Sequence, residues 1–184
     1  SVRDISDLVV VEMHAGSEYS YSPGAHYDSY EPPEGYETMR VNPASEIGFL
    51  EDPLMGLEAE DYSPRLDRPQ VWDRAIRQFA IDEGADAVIV HHPHIIQGVE
   101  IYNGKMIAHS LGNFIFDLNY PETYPSMILN AEAYESGFTG YTITPIYIDD
   151  YLTVPATGEL ANYILDYIAI RSRDLGTYGQ SVAE

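Results

Sequence analysis

The sequence predicts an α/β fold built around a parallel strand–helix–strand unit, and three features carry that prediction. Two short valine-rich runs, residues 7–13 (DLVVVEM) and 86–90 (DAVIV), have the continuous apolar character of strands buried on both faces. One strongly amphipathic helix lies between them, which is the order that parallel pairing demands. The chain has 184 residues, 45% of them hydrophobic. A chain of that size buries about 70% of its unfolded surface in one core, so a single domain over residues 1–184 is expected.

After the first strand comes a long irregular stretch, residues 15–68, dense in Pro, Gly, Tyr and Glu (YSPGAHYDSYEPPEGYE, then EDPLMGLEAEDYSP). It is too long for an ordinary loop in a compact domain. It reads as a lid, a partner-binding insertion over about residues 20–66, or a local disordered excursion. Its tyrosines favour ordered contact, because a tyrosine buries its ring while its hydroxyl stays wet. A second copy of the chain is one partner that such a surface could meet.

The helix is expected over residues 69–83, where Val71, Trp72, Ala75, Ile76, Phe79 and Ala80 fall on one stripe. Asp67 can cap its start, Pro69 suits the first turn and Gly84 suits the exit. Trp72 and Phe79 are therefore expected in the core. Beyond the strand at 86–90, residues 98–102 and 105–109 flank Asn103-Gly104, the strongest short hairpin signal. Residues 114–116 (FIF) are expected as a short strand. Residues 140–149 (GYTITPIYID) alternate like a strand, and Pro145 assigns it to an edge or a bulge. A second amphipathic helix is expected over 159–173, with Leu160, Ile164, Leu165, Ile168 and Ala169 on its apolar side.

Charge narrows the function. Thirty Asp+Glu against nine Lys+Arg give a formal net charge of −21. Nucleic acid and anionic membrane surfaces repel such a chain and are excluded as main partners. Lys105 is the one lysine; the excess of acid fits a solvated surface better than a high-salt habitat. No apolar run reaches the ~18 residues of a membrane span, and no basic-then-apolar signal peptide opens the chain. The start, SVRDIS without Met, runs directly into a buried-type strand, which reads as a processed product or a fragment lacking an N-terminal half. Clusters such as Glu51-Asp52 and residues 58–61 leave room for a sugar- or cation-binding module, although acidic runs are usually solvated faces. Cysteine is absent, so any metal must use histidine nitrogen and carboxylate oxygen.

The histidines supply such ligands. His14 follows the first strand, and His91, His92 and His94 follow the strand at 86–90 in the same relation. Parallel neighbours end on the same edge of a sheet, which is where open α/β sheets bind their ligands. His92-Pro93-His94 adds a stiff spacer that lets both imidazoles turn to one cavity. Two or three neutral imidazoles suit Zn, Mn or Fe better than Ca or Mg. His109 closes the hairpin near by, and His26, alone in the irregular stretch, reads as a solvated loop residue.

The segments DLVVVEMHAGSEYSYSP and GADAVIVHHPHIIQGVEIYNGKMIAHSLGNFIFD resemble the CapA family of bacterial capsule-biosynthesis proteins. That family is associated with poly-γ-glutamate capsules and is similar in fold to the calcineurin-like metallophosphatases. The family's His-aromatic-Gly-x-Glu-Tyr appears as His14-Ala15-Gly16-Ser17-Glu18-Tyr19, with Ala15 for the usual Trp. Its Gly-x-His-Pro-His appears at residues 90–94, with Val90 for the Gly, and its Ser-Leu-Gly-Asn-Phe matches residues 110–114 throughout. The resemblance covers about residues 7–20 and 68–150.

The resemblance implies the C-terminal half of a metallophosphatase-like α/β sandwich with a mixed sheet, carrying a two-metal phosphoesterase site. His14, His92 and His94 would be the metal ligands, with His91 a neighbour. Ser110 and Asn113 would shape the adjoining loop, Asn113 beside the substrate, and Glu18 would orient His14 or contact substrate. The bridging carboxylate and general-acid segment of the family come from an N-terminal half without counterpart here; Asp4 and Asp7 precede the first strand at the wrong end of the sheet. The missing half is then a separate chain or an upstream part of the gene. The alternative is a non-catalytic surface scaffold with a decayed site. The family setting implies an extracellular or cell-surface location, but a −21 surface repels poly-γ-glutamate unless metal or salt screens it.

Overall fold

The valine-rich runs do form parallel neighbours. In the computed structural model, which describes residues 2–15, 71–117 and 123–177, β1 (Val10–His14) pairs in parallel with β2 (Ala87–His91), with His14 opposite His91. The connection between them includes α1 (Val71–Asp82). The hairpin follows as β3 (Val99–Tyr102) and β4 (Lys105–Ala108), with Asn103 and Gly104 both at positive φ, as a two-residue type I′ turn requires. β4 runs parallel to β2 and antiparallel to β3, giving a mixed sheet in the order β1-β2-β4-β3. The irregular stretch and its insertion, together with Glu18, His26, Asp67 and Pro69, lie outside the described residues.

A second sheet joins β5 (Pro125–Tyr134), β6 (Gly137–Asp149) and β7 (Leu152–Pro155), all antiparallel. β6 is its central strand and the register shift in this sheet falls at Asn130/Glu132, so Pro145 marks neither the edge nor the bulge expected of it. The Pro145 carbonyl accepts from Ala156 N on the β7 side, just past the last paired residue of β7. The ring nitrogen faces that same side, so no ladder bond to β5 is lost. Residues 114–116, expected as a strand, form a bend instead, with Phe114, Ile115 and Phe116 exposed. The final helix, α2, runs Gly158–Asp174 and buries Leu160, Ile164 and Ile168 as expected, whereas Leu165 and Ala169 face outward.

Alternation along β2 divides the interior in two. Ala87 faces a core shared with Met106, Met127, Tyr147 and the buried side of α2, while Val88 and Val90 face Ile107 and Ile81 beneath α1. Both helices leave through a left-handed glycine. After α1, Gly84 (φ 107) lets Ala85 N reach Ala80 O and Gly84 N reach Ile81 O, the paired bonds of a Schellman exit.

The inward face of α1 corrects one expectation. Phe79 is 61% and Ile76 59% exposed, while Arg77 and Ile81 are buried; the Trp72 side chain lies outside the described residues. Beneath the helix sits Glu100 of β3, buried with His109. Arg74 grips Glu100 with Nε and Nη2 (2.7–3.1 Å), Gln78 donates to it at 2.7 Å, and His109 Nε2 lies 2.9 Å from its second oxygen. Burying a phenylalanine gains about 1.5–3 kcal/mol, whereas a buried carboxylate without partners loses several kcal/mol. The helix therefore turns its arginines inward.

Arginine can only donate, so the 2.8 Å contact from Arg77 Nη1 fixes His109 Nδ1 as an acceptor and Nε2 as the protonated nitrogen facing Glu100. Burial lowers the His109 pKa, with Arg77 and Arg74 adding to that effect against the pull of Glu100. Burial alone would raise Glu100, but hydrogen bonds from His109, Arg74 and Gln78 outweigh it and hold the carboxyl down to about 2.

Two predictions follow from this packing. Because burial lowers the native His109 pKa, the unfolded chain takes up this proton more readily below a pH of about 6.5, so stability falls as the pH falls. Glu100 adds a second loss from about 4.5 downward, as the pH approaches its native value of about 2. His109→Gln supplies a non-titrating donor and acceptor and should flatten the pH dependence of Tm just below about 6.5; an unchanged slope would refute the assignment. Separately, a Cβ at Gly98 would stand 2.6 Å from the Arg171 carbonyl carbon in α2. Gly98→Ala is expected to cost about 1–3 kcal/mol in denaturant unfolding.

Candidate metal centre

Because β1, β2 and β4 all run the same way, their C-terminal ends share one edge of the sheet. His14 ends β1 and is exposed; His92 and His94 follow β2 and are half-buried. The parallel register brings the His14 and His92 rings to 4.5 Å between centres, and the His92 and His94 rings to 6.3 Å. His91 turns away to the neighbouring strand, where its Nε2 meets Glu12 Oε1 at 2.8 Å. Of the histidines expected at this edge, the structure brings His14 and His92 together and sets His94 6.3 Å from His92, whereas His109, although at the end of a parallel strand, is committed to Glu100 and Arg77.

The backbone here is unusual. His92 (φ 106) and His94 (φ 59) both occupy positive φ, on either side of Pro93. For a residue with a Cβ this costs on the order of 1–3 kcal/mol, and such residues concentrate at functional sites where surrounding structure holds them. That structure is visible. Ala15 N bonds His91 O at 3.1 Å, and Arg77 Nη2 reaches Ala15 O at 3.3 Å, so the buried network under α1 also fixes the chain just after His14.

His94 is held from two sides. Its Nδ1 lies 2.8 Å from Asn113 Oδ1, and the Phe116 ring packs 4.7 Å from its own. Asn113 belongs to the loop after β4, which is itself pinned: Gln97 N donates to Ser110 O, Met127 N to Leu111 O, and Leu111 bridges Ile96. Gly112 (φ 79) is required there, since a Cβ would meet Ser126 Oγ at 2.5 Å. Ser126 Oγ contacts the carbonyl oxygens of both Leu111 and Asn113. Ser110, expected to shape this loop, is buried with its Oγ 3.3 Å from Gly112 N.

Two of the three imidazoles, His14 and His92, stand at the spacing that a shared transition-metal ion would need. Imidazole nitrogens ~2.1 Å from an ion put two coordinating ring centres roughly 4.5–6 Å apart. The His14 and His92 rings stand at that spacing, and the 6.3 Å between His92 and His94 exceeds it. Among the described residues no three of His, Asp and Glu are closed to a single coordination sphere, so His94 would turn inward or a further donor would complete the set.

Residues 63–118 match the family described as bacterial capsule synthesis protein PGA_cap. That segment contains α1, β2, the β3–β4 hairpin, His92, His94 and Asn113. The chain is 34% identical over 87 residues to the PGA biosynthesis protein CapA of Bacillus subtilis (strain 168), covering 47% of this chain and 23% of that protein. It is 30% identical over 93 residues to the capsule biosynthesis protein CapA of Bacillus anthracis, covering 50% of this chain and again 23% of the relative. An uncharacterized Sinorhizobium fredii protein, y4sH, is 43% identical over 51 residues, 28% of this chain and 11% of its own length. These matches bear out the CapA-family reading for the part of the chain they cover. The matched region spans about a quarter of the two Bacillus proteins.

The strained backbone gives a test that needs no ligand. At residue 92 glycine should be more stable than alanine by about 1 kcal/mol, the reverse of their usual order. A comparison of Tm for His92→Gly and His92→Ala checks it, and alanine proving the more stable would contradict the left-handed assignment.

Proposed function

We propose that this protein is a CapA-like, metal-dependent hydrolase of the phosphoesterase type, working in the synthesis or export of a surface polymer such as capsular poly-γ-glutamate. The observation that carries the reading is the placement of His14, His92 and His94 at the C-terminal ends of the parallel strands β1 and β2, two of them on strained backbone. The names of the two Bacillus relatives, which refer to PGA and capsule biosynthesis, support the polymer role.

His14, His92 and His94 would hold one or two divalent transition-metal ions, Mn, Zn or Fe. Such ions supply Lewis acidity and activate water for attack on a phosphoester. The chain's own groups orient the ligands: Arg77 holds the Ala15 carbonyl beside His14, and the loop at 110–114 backs His94. Phe114, Ile115 and Phe116 offer an exposed apolar rim next to His94.

In this reading the chain is the C-terminal half of a larger fold acting at the cell surface or outside the cell. Among the described residues β1 is an edge of the sheet, with Val10 51% exposed. An edge strand presents unpaired backbone N–H and C=O groups to which a further strand can pair, which supports docking of the other half there. A bridging carboxylate would come from that other half.

The test is metal content and phosphodiesterase turnover of the full-length protein with any co-purifying chain, compared with His92→Ala. Bound transition metal and turnover, with turnover reduced by about 10–100-fold or more in the variant, are expected. A complete protein without metal or activity, whose assembly His92→Ala leaves intact, would make it a scaffold instead.

A further inference from the structure

We propose that Asn113 is a positioning residue that fixes His94 in the Nδ1–H tautomer, so that the lone pair lies on Nε2. Asn113 Oδ1 stands 2.8 Å from His94 Nδ1. An amide oxygen accepts only, so the nitrogen it meets carries the proton, and the opposite nitrogen is the basic one. A free imidazole favours the other tautomer, and the contact reverses that preference.

The arrangement is built rather than incidental. Asn113 is buried. Its own carbonyl is taken by Ser126 Oγ, and the Gly112 backbone before it admits no side chain. The loop is tied on one flank to Ile96 and Gln97, two and three residues after His94, and on the other to β5 through Met127 N. The acceptor is therefore indexed to the same backbone that carries the imidazole. Phe116 packs against the His94 ring and limits its rotation.

The consequence for metal affinity rests on the function proposed above: outer contacts that set a ligand's tautomer are worth about 10–100-fold in affinity. The amide would then act through His94 and not on substrate. The reverse amide orientation would donate to Nδ1 and leave the proton on Nε2, so neither nitrogen could bind a metal without rearrangement. The two orientations differ in an observable.

Long-range 1H–15N correlation of the metal-free full-length protein, at a pH above the ordinary histidine range, reads the tautomer directly. His94 is expected as Nδ1–H in the native protein and in Asn113→Asp, which keeps the acceptor. In Asn113→Leu it should revert to Nε2–H, with Zn2+ affinity lower by about 10–100-fold. An Nε2–H signal in the native protein overturns the proposal even if the leucine variant does not fold, and so does an unchanged tautomer in a folded leucine variant. The expected tautomer with no Zn2+ binding would uphold the positioning role and overturn the metal function.

Discussion

Glu100 is the constraint around which the rest of the structure is arranged. A carboxylate buried in the middle of a short strand must be neutralised and hydrogen-bonded in place, because removing an ion from water costs several kcal/mol. Its three partners come from two elements: Arg74 and Gln78 from α1, and His109 from the end of β4. Arg74 also donates to the Leu175 carbonyl at the exit of α2. One side chain thus fixes both helices to the sheet. Arg77 passes the constraint onward through His109 to the Ala15 carbonyl beside His14.

The ligand edge inherits its order from that frame. Parallel pairing lines up His14 with the residues after β2, and the tethered loop at 110–114 backs them. Holding His92 and His94 at positive φ costs energy that the surrounding bonds must supply. A second buried carboxylate works at the opposite end of the strands. The Arg3 guanidinium, the Val9 amide and Lys105 hold Asp86 well below the ordinary carboxylate range, clamping the entry to β2.

What could be read from the sequence was whatever depends on near neighbours along the chain. The valine runs, the Asn103-Gly104 turn, the glycine exit of α1 and the span of α2 all have local causes, and all appear. The grouping of His14 with His92 followed from strand direction alone. The face of α1 did not, because its apolar stripe is locally persuasive and the reason for overriding it, Glu100, lies in another element. A glutamate inside VEIY, between apolar residues, was the one signal that something cationic must cover that strand. β5 and β7 escaped notice because their outward faces are exposed and polar and their apolar alternation is short. The link from Asn113 to His94 joins residues 19 apart through a loop without periodicity.

Whether the histidines hold an ion can be read from an anomalous-difference map recorded at a transition-metal absorption edge, from crystals of the full-length protein grown with that metal. A peak is expected about 2.0–2.1 Å from imidazole nitrogens of His14 and His92, with His94 Nε2 turned toward the same centre. A peak elsewhere, or none at that edge of the sheet, would contradict the metal centre.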